Sequence, residues 1–424
     1  MNSSGYFNLN NFGSQFVKGL NCIIFLYVIS IGLLVPPSIL PHTNFIGILL
    51  LLGIIILNLS SIGGDKISNK VEFLENISYS NILMPVICLL LMFLLVFAQS
   101  FGKDFSFLSS FAGLILHVLL LVFIINTKNY LLAYLRSYIY LVLIMACAGL
   151  IALSLVKFGV VSVDENFVNI AELSNGSFTR DLGWAESYIF PYNLGLILVG
   201  SGELDLLGWK FYRISGWAHE PSTATLFIAP AMILLFKTKI ISTSLIRISA
   251  LTLITFFWFF CMSIGSLFSF ILIYLFYIFV TLFIKIFPLK LSLFILCSIG
   301  VIILTGIYFV EEIQTSTIFS SKLNLESETF QGALRRLTWF IPSMASSPQE
   351  SSVLLAIYAI IFLFLFNIFY SFSTGNDLNP FALVVFYIVI HSMKGSQGSV
   401  YFLTSTFFWF YILYFSTSFI RSKV

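Results

Sequence analysis

Apolar runs of about 20 residues recur along almost the whole chain, separated by short polar breaks. One of them, FAGLILHVLLLVFIIN at residues 111–126, contains a single titratable side chain, His117. A helix needs about 20 such residues to cross the hydrocarbon core of a bilayer, whereas a barrel strand needs about 10. The runs are therefore helices, and a β-barrel is excluded. A soluble core does not need this much apolar surface: mean hydropathy is +1.02, only 9% of residues are charged, and there are 48 phenylalanines. Spans are predicted at 20–36, 44–61, 81–100, 108–127, 137–156, 221–236, 248–264, 266–284, 291–309, 351–370, 380–393 and 399–419. The expected fold is an all-α polytopic membrane protein of about 12 transmembrane helices, with residues 1–424 forming one integral membrane domain.

Orientation follows from Lys and Arg in the connecting segments. With both termini in the cytoplasm, twelve of the 21 basic residues fall inside, almost all on short loops; they include Lys66, Lys128, Arg136, Lys237, Arg247, Lys285 and Lys423. On this map four of the 18 acids are inside (Asp65, Glu72, Glu75 and Asp377). The other fourteen are outside, and most of the polar chemistry gathers on two long outer loops at 157–220 and 310–350. These are long enough for short surface helices but not for a separate globular domain. The first span ends in Pro36-Pro37 without a small-residue cleavage site and reads as a retained helix. All five cysteines (Cys22, Cys88, Cys147, Cys261 and Cys297) fall in predicted spans, so no disulfide framework is expected. No internal repeat is visible.

Three polar clusters stand out against this background. The first is RISGWAHEP, residues 213–221. Pro221 suits the first position of the sixth span, where its missing N–H matters least, and it pushes Glu220 out of the helical region. Glu220 can simply complement the helix N-terminus. That does not account for Arg213, for Gly216, which permits a tight turn, or for His219. An arginine beside a helix N-terminus is an anion site, and at this depth the natural anion is a lipid-linked phosphate. A neighbouring carboxylate or imidazole can take a proton from a sugar hydroxyl, which makes Glu220 and His219 candidate catalytic groups.

The second cluster is GALRRLTWF, residues 332–340. Its plain reading is an interfacial helix, with Arg335 and Arg336 at lipid headgroups and Trp339 in the aromatic belt. Its other reading is a second diphosphate clamp, since guanidinium groups bind phosphate oxygens in pairs. The third is HSMKGSQG, residues 391–398. His391 is either a hydrogen-bonded histidine at a helix end or a base that titrates near neutral pH, and Lys394 is either a third cationic contact or a snorkelling side chain. His117 reads as a buried, satisfied histidine, and Arg180, Asp181, Glu203 and Asp205 as solvated or saccharide-contacting surface. There is no zinc-type Cys/His cluster, no phosphate-binding loop and no nucleophile elbow. The first outer loop, VPPSILPHTNF, holds no acid. No metal and no other cofactor is expected, nor any nucleic-acid partner.

RISGWAHEPSTA resembles the R-x-S-G-x-x-x-E-P signature of Wzy-type O-antigen and capsule repeat-unit polymerases. Arg213, Gly216, Glu220 and Pro221 match it position by position. The layout is similar too, with about a dozen spans and two large periplasmic loops bearing arginines. Arg335, Arg336 and Trp339 look like that family's second-loop element, and His391 looks like the late histidine of the related ligases. The resemblance is specific over about ten residues and architectural elsewhere. It implies a metal-independent glycosyltransferase with a GT-C-like fold in a bacterial inner membrane, with a periplasmic active site. Donor and acceptor would both be oligosaccharides on undecaprenyl diphosphate, handled among membrane lipids alongside a chain-length regulator protein.

Two other functions fit parts of the pattern. An O-antigen ligase would move the same donor onto lipid A–core, but the complete Glu-Pro element favours the polymerase. A lipid-linked oligosaccharide flippase should line a membrane-embedded cavity with cations, whereas these spans are nearly free of charge. The topology has a direct check. A cysteine at position 180 (Arg180→Cys) should react with an impermeant thiol reagent from outside, and one at position 66 (Lys66→Cys) only after the membrane is opened. The reverse pattern would invert the map.

Overall fold

The structure is a computed structural model that describes residues 49–56, 85–90, 107–126, 131–162, 168–169, 187–189, 197–206, 209–218, 221–261, 380–392 and 401–416, with isolated helical positions at 93 and between 270 and 282. Among these the protein is mostly helical. The longer helices are α1 (Phe107–Asn126), α2 (Leu131–Lys157), α3 (Pro221–Lys237), α4 (Ser244–Cys261), α5 (Pro380–Ser392) and α6 (Tyr401–Ser416). Each coincides closely with a predicted span. The largest difference is the start of α2, at Leu131 rather than 137. Arg136 belongs to the helix because its Nε donates to the carbonyl of Ile240, just beyond α3, at 2.9 Å. Predicted spans 20–36, 291–309 and 351–370 lie outside the described residues.

Two of these helices, α2 and α4, are long and apolar enough to cross a membrane. Each buries one stripe. On α2 it includes Tyr138, Val142, Met145, Gly149 and Leu153, and on α4 Ala250, Ile254, Phe257, Trp258 and Cys261, which is the spacing of a helix face. Their outward faces are apolar as well, carrying Tyr140, Ile144 and Ile151 on α2 and Ile248, Phe256 and Phe259 on α4. Three hydroxyls on exposed positions turn back onto their own helix: Ser154 donates to the carbonyl of Leu150, Thr252 to that of Ile248 and Thr255 to that of Leu251.

The chain forms two compact units. One comprises residues 1–87, 115–266 and 397–424, and the other residues 88–114 and 267–396. In the first, α2, α3 and α4 pack on one another. The side chains from Ala224 to Leu235 of α3 are all buried, so this helix is enclosed on every side. It carries Pro230, which removes one N–H from the helical ladder and crowds the carbonyl four residues back. The hydroxyl of Tyr138, on α2, donates to the carbonyl of Phe227 in that interrupted turn. The bond ties α2 to α3 one residue past Leu226, the carbonyl that the proline leaves without its helical donor.

The first long loop is not purely helical and irregular, as the all-α expectation had it. It contains four antiparallel strands in the order β1 (Val168–Asn169), β2 (Ser187–Ile189), β3 (Ile197–Leu206) and β4 (Trp209–Gly216). The loop begins with a closed helix end. Gly159, with φ +69°, lets the N–H groups of Gly159 and Val160 reach back to the carbonyls of Val156 and Leu155, at 3.0 Å each. This is the paired-bond cap that a left-handed residue makes possible. The physical reason for the sheet lies in two adjacent β-prone runs, ILV at 197–199 and WKFYRI at 209–214, the second entered after Leu207-Gly208.

Removing the Tyr138 hydroxyl tests the bond between α2 and α3. Tyr138→Phe should destabilise the protein by about 1 kcal/mol, the usual net worth of one buried hydrogen bond. Thermal unfolding in detergent measures it, and an unchanged midpoint would show that the bond contributes nothing.

Candidate functional site

The stretch that opened the functional argument divides between two elements. Arg213 and Gly216 belong to β4, and Pro221 is the first residue of α3. β4 pairs with β3 through Leu198 opposite Ile214 and Val199 opposite Arg213. Ile197 lies opposite Gly216, so Ser215 is an extra residue and the strand bulges there. Gly216 has φ +59°, and the N–H of Ala218 donates to the carbonyl of Ser215 at 3.0 Å. The strand therefore ends in a tight turn whose second residue is left-handed, a conformation glycine adopts without steric cost.

That turn is buried. Ile214, Ser215, Gly216 and Ala218 are all enclosed, while Arg213 and Trp217 are partly open. β4 packs on α2, α3 and α4 together. The contact at Gly216 is tight enough to exclude any side chain: a Cβ there would lie 2.7 Å from Met145 Cγ and 3.1 Å from Phe257 Cζ. Met145 is twelve residues before Lys157, so the turn meets α2 about 18 Å along the helix from its end. The strand thus enters the helical cluster instead of lying over it.

Arg213 is anchored by the same packing. Its Nε donates to the carbonyl of Cys261, the last residue of α4, at 3.4 Å. The bond joins the guanidinium to the backbone of α4, and hydrogen bonds made by a charged group are stronger than neutral ones. The planar group has five donors, and this contact engages Nε. Arg213 is thereby tied to α4, three residues before the turn that precedes α3.

The other candidate residues are distributed differently. His391 belongs to the second compact unit, in the last turn of α5. It is buried and stacks on Tyr387 one turn earlier, with ring centroids 5.5 Å apart and planes 9° from parallel. His117 is buried on α1, edge-on to Phe408 and Trp409 of α6 at 6.1 and 6.0 Å. His219, Glu220, Arg335, Arg336, Trp339 and Lys394 lie outside the described residues. Among the described residues, no group of three His, Cys, Asp or Glu side chains is placed to hold a metal ion. Cys88, Cys147 and Cys261 are free thiols.

Sequence reasoning missed Met145 and Phe257, the residues that receive the turn, and Gly149, which makes room for the Phe257 ring. Nothing local marks them. Gly149, a glycine within an otherwise apolar span, was the one available hint. No family model, no curated protein and no solved structure matches the chain.

Gly216→Ala should be among the most damaging single substitutions in the protein. It forces a side chain into a left-handed backbone, at roughly 1–3 kcal/mol, and into the Met145 and Phe257 contacts besides. Folded yield and melting temperature in detergent report the loss. An alanine variant as stable as the parent would mean that the turn does not pack as described.

Proposed function

We propose that the protein is a Wzy-type repeat-unit polymerase. It is an integral, metal-independent glycosyltransferase of about a dozen spans with a GT-C-like fold. It sits in a bacterial inner membrane with both termini in the cytoplasm and works at the periplasmic face. The observation that carries this reading is the stretch from Arg213 to Pro221. Here a charged strand that matches the polymerase signature is held against three apolar helices, α2, α3 and α4, and the signature's last residue, Pro221, is the first residue of the buried α3.

Physical context supports the membrane setting. The outward faces of α2 and α4 carry large apolar side chains, and the hydroxyls of Ser154, Thr252 and Thr255 there bond within their own helices, as suits lipid. Arg136 and Lys157 bracket 20 charge-free residues of α2, which matches the thickness of a hydrocarbon core of about 30 Å. Met145 falls near the middle of that interval. In this reading the turn at Gly216 reaches well into the bilayer's depth, where non-helical backbone is tolerated only when protein encloses it. Arg213, three residues back along β4, then lies within about 10 Å of that level, so a carrier lipid's diphosphate would meet it below the headgroup surface.

The proposed chemistry uses the chain's own side chains. Arg213, with Arg335 or Arg336, binds the undecaprenyl diphosphate of the donor; Lys394 adds positive charge. Glu220 takes the proton of the acceptor sugar hydroxyl as its oxygen bonds to the donor's anomeric carbon. The bond from that carbon to the phosphate oxygen breaks at the same centre, and the electron pair leaves with the diphosphate. The arginines stabilise the charge that develops there. His219 and His391 are alternative bases, although the stacking and burial of His391 favour Glu220. Gly216, Pro221 and Trp339 position these groups. Both substrates arrive on lipid anchors, so proximity supplies much of the rate.

Purified protein given a lipid-linked repeat unit should extend it into a ladder of longer glycans, with or without chelator. Glu220→Gln at normal expression should abolish long chains, and Arg213→Ala should lower the rate by about 10²–10³-fold, the usual cost of losing a charge-stabilising donor. Ladders of normal length from Glu220→Gln would refute its assignment as base. Transfer only onto lipid A–core would identify a ligase instead.

A further inference from the structure

The geometry points to Phe257 as the positioning residue of Arg213. The ring of Phe257 occupies the space where two residues have no side chain. A Cβ at Gly149 would lie 2.5 Å from its Cε2, and a Cβ at Gly216 would lie 3.1 Å from its Cζ. One turn further along α4, the carbonyl of Cys261 accepts the bond from Arg213 Nε. The same face of α4 therefore touches β4 twice, through a ring at Gly216 and through a carbonyl at Arg213. These two points on the strand are three residues apart.

Phe257 is fully buried, and so is Gly149 on the facing side of α2. Glycine is unfavourable inside a helix, so its presence at 149 has a local benefit to explain. That benefit is room for the ring. Ala146 and Ala152, one turn to either side on the same buried stripe, keep the approach of α4 close. With the ring seated between α2 and β4, α4 can neither rotate nor slide without carrying the Cys261 carbonyl away from Arg213. The guanidinium is thus held in place from a point one helical turn away from it.

This inference rests on the proposed reading of Arg213 as a diphosphate ligand. In that setting Phe257 touches no substrate and acts only through the arginine. Arg213 matters most as charge develops on the leaving diphosphate, so a displaced guanidinium should lower kcat and leave KM almost unchanged. A misplacement of about 1 Å can cost on the order of 100-fold in rate.

The test is a double-mutant cycle on full-length protein in nanodiscs, with purified lipid-linked repeat unit as substrate and gel filtration to establish folding. Phe257→Leu should lower kcat by about 10–100-fold at near-constant KM. Gly149→Ala should do the same, and the two together should recover most of the rate, because the smaller side chain makes room for the new methyl. On an Arg213→Lys background, Phe257→Leu should add no further loss, since the group it positions is already gone. Equal losses on both backgrounds, or full activity of Phe257→Leu, would overturn the inference. Full activity of Arg213→Ala would instead overturn the polymerase assignment of the arginine itself. If Gly149→Ala fails to fold, Phe257→Met replaces it in the cycle, with an intermediate loss expected and additivity again the contrary result.

Discussion

A strand that ends among apolar helices has to solve one problem before any other: its backbone must be enclosed without leaving polar groups exposed to hydrocarbon. In this protein the solution depends on the absence of two side chains. Gly216 lets β4 turn in a left-handed conformation against Met145 and Phe257, and Gly149 lets the Phe257 ring sink into α2. Helices in lipid gain little from hiding apolar surface from one another, so close approach through small residues carries much of the packing. Everything else in the first compact unit is arranged around that joint, including the tie between Arg213 and the end of α4.

The same arrangement explains why an arginine can sit where the rest of the chain avoids charge. A cation in an apolar setting is costly unless its donors find partners, and Arg213 Nε donates to the Cys261 carbonyl. Nearby, α3 starts with Pro221, whose missing N–H removes one orphan donor, and its Phe227 carbonyl accepts from the Tyr138 hydroxyl of α2.

Much of the helical frame was legible in the sequence, because hydrophobic runs have a physical length and prolines and lysines mark their ends. Pro221 and Pro380 begin α3 and α5 as expected. The sheet was less legible. Its strands are short and lie in a segment of mixed polarity, and the alternation in WKFYRI was outweighed by the surrounding loop chemistry. The run ILV followed by WKFYRI across Leu207-Gly208 was nonetheless a hairpin signal. Arg136 was read as a loop charge and proved to be helical, since its long side chain reaches the Ile240 carbonyl from within α2. The partnership of Gly149, Phe257 and Gly216 could not be read at all. It joins residues far apart in the chain, and no local pattern encodes which ring fills which gap. Arg213 stood out by type and neighbours, but its partner is a backbone carbonyl, which every residue carries alike.

In the proposed polymerase the charged strand works from inside the helical cluster. The most direct measurement is a cryo-EM map of the protein in nanodiscs with undecaprenyl diphosphate bound. The twin phosphates should contact Arg213 beside Cys261, below the Lys157 end of α2 and with Gly216 still seated on Phe257. Phosphate density distant from position 213, or a β4 lifted away from α2 and α4 into the aqueous loops, would contradict it.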